Sequence, residues 1–95
     1  MNISIIILTY NEDKNIERCL QSIADLSDDI IIVDSFSTDT TLNICEKYKC
    51  RIYQNPFINH AVQFNWACDN IKIKYDWVLS GENKKNIKKT RKKRF

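Results

Sequence analysis

Ile3-Ser4-Ile5-Ile6-Ile7-Leu8 runs directly into Thr9-Tyr10-Asn11-Glu12, and this junction decides how the rest of the chain is read. A near-continuous apolar run of this length suits a strand covered on both faces, not one that alternates between core and water. A second junction of the same kind follows, where Ile30-Ile31-Ile32-Val33 ends at Asp34 and passes into Ser35-Phe36-Ser37-Thr38-Asp39. Between the two, Ile16, Cys19, Leu20 and Ile23 recur at helical spacing, with Glu17, Arg18 and Gln21 on the opposite face. Asn11 or Asp13 is placed to cap the first turn of that helix, and Ser27-Asp28-Asp29 reads as the loop after it.

Further out, Leu42, Cys45 and Tyr48 form the inward stripe of a second helix, with Ser37 or Thr38 as its cap. Arg51-Ile52-Tyr53 is a short third strand, stopped by Asn55-Pro56. A third helix is expected over residues 59–72, apolar over a wide arc (Ala61, Val62, Phe64, Trp66, Ala67, Ile71) and therefore well buried. Asp76-Trp77-Val78-Leu79-Ser80 closes the order as a fourth strand. Strands alternating with helices predict an α/β fold, a parallel sheet with helical crossovers in which the first two strands are neighbours. Such sheets bind ligands beyond the carboxyl ends of their strands, where both polar junctions fall.

Composition narrows the chemistry. The chain has 95 residues, 43% of them apolar, enough for one small domain with a thin stability margin. With one glycine in all, neither a G-x-G-x-x-G turn nor a G-x-x-x-x-G-K-[ST] loop exists, which excludes those phosphate-binding solutions. The net charge of +3 hides a segregation. Residues 84–95 hold eight basic and no acidic residues, whereas residues 1–83 hold seven basic and twelve acidic ones. Residues 1–80 are therefore read as the folded unit, and residues 81–95 as a basic tail, non-native or disordered, with residues from Lys84 onward packing on nothing.

The cysteines at 19, 45, 50 and 68 form no C-x-x-C pair and read as small, reduced hydrophobes of a cytoplasmic protein. The apolar run of residues 3–8 is too short to span a bilayer and lacks a basic segment before it. His60, the single histidine, reads as an exposed helix-start residue, and Trp66 and Trp77 as core.

The polar junctions offer hydroxyl, amide and carboxylate groups beside helix starts. Helix N-termini favour phosphate, and carboxylates suit the donor groups of a base edge or of sugar hydroxyls. Asp34 stands where an acidic residue takes ribose in other α/β nucleotide sites. The plainer alternative makes Asn11, Ser37 and Thr38 helix caps and Asp34 a loop residue.

The segments Ser4–Glu12, Ile32–Thr41, Gln63-Phe64-Asn65-Trp66-Ala67 and Asp76-Trp77-Val78-Leu79, in this order, resemble the opening of family 2 glycosyltransferases, particularly bacterial enzymes of cell-surface polysaccharide and lipopolysaccharide core synthesis. The resemblance implies a Rossmann-like sheet forming the N-terminal half of a GT-A fold, a nucleotide-sugar or nucleoside diphosphate partner, and a divalent metal, Mg²⁺ or Mn²⁺, in the family. It implies that Thr9, Asn11, Glu12, Asp34 and Ser35 line a nucleoside pocket, with Gln63 and Asn65 nearby. Where relatives commonly have glycine, this chain has Phe36, so the loop is expected to turn without a free positive φ.

In the family the fourth strand leads into an Asp-x-Asp motif that carries the metal. Here it leads into Ser80-Gly81-Glu82-Asn83 and lysines, so no metal is expected on this chain, and it reads as a form truncated before that motif and inactive in transfer. The parent enzyme is expected in the cytoplasm, at the inner face of the membrane as a peripheral protein, with no specific nucleic acid partner. An alternative reading is a small α/β binding module whose basic tail contacts nucleic acid or anionic membrane.

Overall fold

The structure, a computed structural model, describes residues 3–81 and 87–91. Its elements follow in the order β1 (Ile3–Thr9), α1 (Ile16–Ile23), β2 (Ile30–Asp34), α2 (Thr41–Lys47), β3 (Arg51–Gln54), α3 (His60–Asn70), β4 (Trp77–Gly81) and β5 (Ile87–Arg91). The strands form one sheet in the order β3-β2-β1-β4-β5. β1 pairs in parallel with β2 (Thr9 beside Asp34) and with β4 (Ile7 beside Gly81), and β2 pairs in parallel with β3. The expected α/β architecture, with β1 and β2 as neighbours, is the one observed.

Strand alternation splits β1 between two cores. Ile5 and Ile7 meet Ile16, Cys19, Leu20 and Ile23 of α1 and Cys45 of α2. Ile6 and Leu8 meet Ala67 of α3 together with Ile71, Ile73 and Val78. Every residue of β1 and of β2 is buried, which is why neither sequence alternates. Full burial of each isoleucine contributes about 1.5–3 kcal/mol, so these two strands dominate the stability of the sheet.

Several local expectations change. α1 begins at Ile16 with Asn15 at the cap position and no side-chain cap, so neither Asn11 nor Asp13 caps it. Instead the Glu12 carbonyl accepts from the Asn15 and Ile16 amides in a turn ahead of the helix. α2 starts at Thr41, later than a Ser37 or Thr38 cap requires, and the Asp39 carboxylate accepts from the Thr41 amide there. α3 is less buried than its composition suggests. Only Gln63 and Ala67 of that helix are fully covered, because a single helix on this face presents one narrow stripe to the sheet. Trp66 packs partly buried on the second core, whereas Trp77 is 40% exposed at the start of β4 and is not a core residue.

The basic segment departs from the expectation of a free tail. Residues 87–91 form β5, antiparallel to β4, with Gly81 opposite Ile87 and Trp77 opposite Arg91. An unpaired edge of β4 would leave a row of backbone donors and acceptors open, and a returning strand satisfies them. A lysine-rich sequence also suits an edge strand, since it discourages pairing with other chains. Residues 82–86 and 92–95, including Glu82, Lys84 and Lys85, lie outside the described residues.

Candidate functional site

The carboxyl ends of β1 and β2 are fastened side by side. Thr9 donates its hydroxyl to Asp34 at 2.6 Å, and the Ser35 amide donates to the Thr9 carbonyl at 3.0 Å. Asp34 has no exposed surface, and among the described residues no cation pairs with it. Its two carboxylate oxygens accept from four neutral donors: the Thr9 hydroxyl, the Ser37 hydroxyl (2.6 Å), the Ser37 amide (2.8 Å) and the Gln54 side chain (3.0 Å). A buried carboxylate without a counter-ion is tolerated only when its acceptor sites are filled in this way. Asp34 therefore organises the loop that follows it, and its own oxygens are already occupied.

The next layer crosses between the two loops. Asn11, with φ of 49°, takes its amide to the Ser37 hydroxyl at 2.8 Å, and its side-chain oxygen accepts from the Thr38 amide at 2.8 Å. The Glu12 amide donates to the Thr41 hydroxyl at 2.8 Å, and the Asp13 amide donates to Asp39 at 3.2 Å. Burial alone would push the Asp39 carboxyl upward, but the Thr41 hydroxyl and amide and the Asp13 amide together hold it below the usual carboxylate range. Glu12 is half-buried, and among the described residues its carboxylate meets no donor.

α3 adds Gln63, which is almost fully buried. Its amide nitrogen donates to the Ser35 hydroxyl and to the Asn55 carbonyl, both at 3.1 Å, and its oxygen accepts from the Asn55 side chain at 2.8 Å. Six of the seven sequence-predicted residues, Thr9, Asn11, Glu12, Asp34, Ser35 and Gln63, thus gather at one sheet edge. Asn65 does not join them. Positions i and i+2 of a helix face different ways, and Asn65 is exposed.

Sequence reasoning missed Gln54, the hinge of the arrangement. It donates to Asp34 and accepts from the Phe36 amide at 2.8 Å. Its signal was the same as for Asp34: a polar residue at the end of a strand. Phe36 corrects another expectation, because it does take a positive φ, 57°, despite having a bulky side chain.

A divalent cation needs several hard oxygen ligands converging. Among the described residues no group of three or more His, Cys, Asp or Glu side chains is arranged to hold one. Ser80 and Gly81 end β4 without a carboxylate, and Asp34 and Asp39 are engaged by protein donors. The described residues therefore do not fit the metal that the family resemblance implies. A cavity of about 330 Å³ beside Leu26, Asp28 and Tyr75 opens at the amino end of the sheet, away from this cluster.

The fold is that of the GT-A glycosyltransferases. It superimposes on glucosyl-3-phosphoglycerate synthase from Mycobacterium tuberculosis, solved with Mn²⁺, UDP and glucosyl-3-phosphoglycerate, with a TM-score of 0.69 at 23% identity, covering 86% of this chain and 33% of that one. The model of the family described as Glycosyl transferase family 2 matches residues 4–80, and the chain belongs to that family. A glycosyltransferase of Rickettsia bellii is 36% identical over 78 residues, covering 82% of this chain and 26% of that protein. The SPbeta prophage-derived glycosyltransferase SunS of Bacillus subtilis is 35% identical over 92 residues, covering 87% of this chain and 22% of SunS. The chain spans about a quarter of the length of these curated relatives.

Proposed function

We propose that residues 4–80 hold the nucleoside diphosphate part of a nucleotide-sugar donor, at the carboxyl edge between β1 and β2. The observation that carries this reading is the cross-fastened pair of loops, in which Asp34 fixes the backbone, the Ser35 hydroxyl follows it and Glu12 is tied by its amide to Thr41. A carboxylate such as that of Glu12, with no donor among the described residues, suits ribose hydroxyls or a base N–H. The Ser35 hydroxyl, which accepts from Gln63, keeps its proton to donate. Thr9, Asp34 and Gln63 position these groups, and Asn11 holds the two loops together. The binding of UDP by the structural neighbour supports the choice of ligand class.

The reaction served is transfer of the sugar to an acceptor in cell-envelope polysaccharide synthesis, in the cytoplasm, with the parent enzyme at the inner membrane face. No helix among the described residues is long and apolar enough to cross a membrane. This chain by itself is proposed to bind without turnover. The departing diphosphate needs its charge offset as the bond to the sugar breaks, and the acceptor hydroxyl needs a base. Among the described residues no group of side chains is arranged to hold such a cation.

Titration of the full chain with UDP and GDP, followed by amide chemical-shift mapping, tests the reading. Shifts confined to residues 9–12 and 34–41 are expected, and they should persist in EDTA. Shifts at the amino-end cavity alone, or no binding at millimolar nucleotide, would refute it.

A further inference from the structure

Phe36 stands in the left-handed region at φ 57°, where a bulky side chain costs about 1–2 kcal/mol relative to glycine. That cost is not offset by packing, because the ring is 57% exposed. The backbone around it is over-determined instead. Its amide is held by Gln54, the amide and hydroxyl of Ser37 are held by Asp34, and the Ser35 hydroxyl is held by Gln63. Other large apolar residues are exposed, Phe57 and Ile58 among them, but neither is strained. A strained conformation that the surroundings enforce, presenting an apolar ring to water, is the mark of a ligand contact.

Its position says which ligand. Phe36 lies two residues after Asp34, on the loop that Asn11 fastens to the Thr9–Glu12 junction. Tyr10, 58% exposed, stands on the opposite loop. Apart from these two rings the edge is polar and acidic, which suits sugar and base edges but not the flat face of a base, and of the two rings only that of Phe36 is held on a left-handed backbone. We propose that Phe36 is the stacking platform for the nucleobase and a determinant of nucleotide affinity. This rests on the nucleoside site proposed above. Every base has a π face, so the contribution is the same in kind for uridine and guanosine diphosphates.

The test uses the full chain and three variants: Phe36→Gly, Phe36→Trp and Thr9→Val. Glycine relieves the left-handed strain, so Phe36→Gly should raise the urea midpoint while weakening UDP binding about tenfold, a typical loss for one stacked base. Phe36→Trp should keep the affinity. On binding to the unaltered chain, the H5 and H6 protons of uracil should move upfield in the ring current, and this movement should be lost in Phe36→Gly. Equal UDP affinity in Phe36→Gly and the unaltered chain, with Thr9→Val weakened, would overturn the stacking role and leave the site intact. No binding of UDP to the unaltered chain would overturn the site and the stacking role together.

Discussion

Asp29 immediately precedes β2 and Asp34 ends it; both are buried, and they are held by opposite means. Among the described residues Asp34 has only neutral donors, whereas Asp29 accepts from Ser4, from the Lys74 amide at 3.0 Å and from Arg51 at 2.8 Å. Replacing Asp29 by Ala strands those donors and should cost about 2–4 kcal/mol in urea unfolding. A change below 1 kcal/mol would show the cluster to be dispensable. Lys49, also left-handed at φ 59°, lies past the end of α2, remote from the nucleoside edge. Lys49→Gly should therefore stabilise by about 1 kcal/mol and leave nucleotide affinity untouched, which a paired melt and titration would check. Thr9 and Asp34 were legible because each directly follows a buried run. Asp29 was not, since Ser27-Asp28-Asp29 looks like any polar loop, and its partners Ser4, Arg51 and Lys74 lie on three other segments. No periodicity signals a contact of that kind.

At the scale of elements, α3 joins the sheet through two different interactions. Ala67 seats it on the second core, and Gln63 ties it to the loop after β2. Gln63→Leu keeps the bulk but strands the Ser35 and Asn55 groups. It should destabilise by about 2 kcal/mol and speed amide exchange at Phe36 and Ser37, with β1 unchanged. Unaltered exchange in that loop would mean that Gln54 and Asp34 hold it unaided. The helix itself was readable from the sequence, but its depth was not, because a wide apolar arc does not say how many elements will cover it. The fifth strand was unreadable for the converse reason. Lysine repulsion argues against order, yet the backbone needs of β4 recruit residues 87–91 regardless of their side chains.

For the whole molecule, the titrating groups define a pH range. Asp29 is held below the ordinary aspartate value, because the Ser4, Lys74 amide and Arg51 hydrogen bonds together outweigh the upward push of burial. Its contribution is complete above the unfolded value of about 3.9 and disappears as pH falls through the lower folded one. Burial, with neighbouring negative charge, pushes the Cys45 thiol up to about 12 and Cys50 to about 11. Raised thiols stabilise below the unfolded value of about 8.5 and lose that contribution as pH climbs beyond it. Melting temperature should therefore be level between about pH 4 and 8.5 and fall on both sides. A rise between pH 8.5 and 10 would contradict the burial of these thiols. The strand order has a further consequence, for the order of events during synthesis. β1 leaves the ribosome well before β4, yet it is β4 that completes its second edge. Until then the nascent chain can close β1, β2 and β3 with α1 and α2, while the isoleucine-rich flank of β1 stays open to other growing chains. The interval between those two strands is when this protein most needs a chaperone.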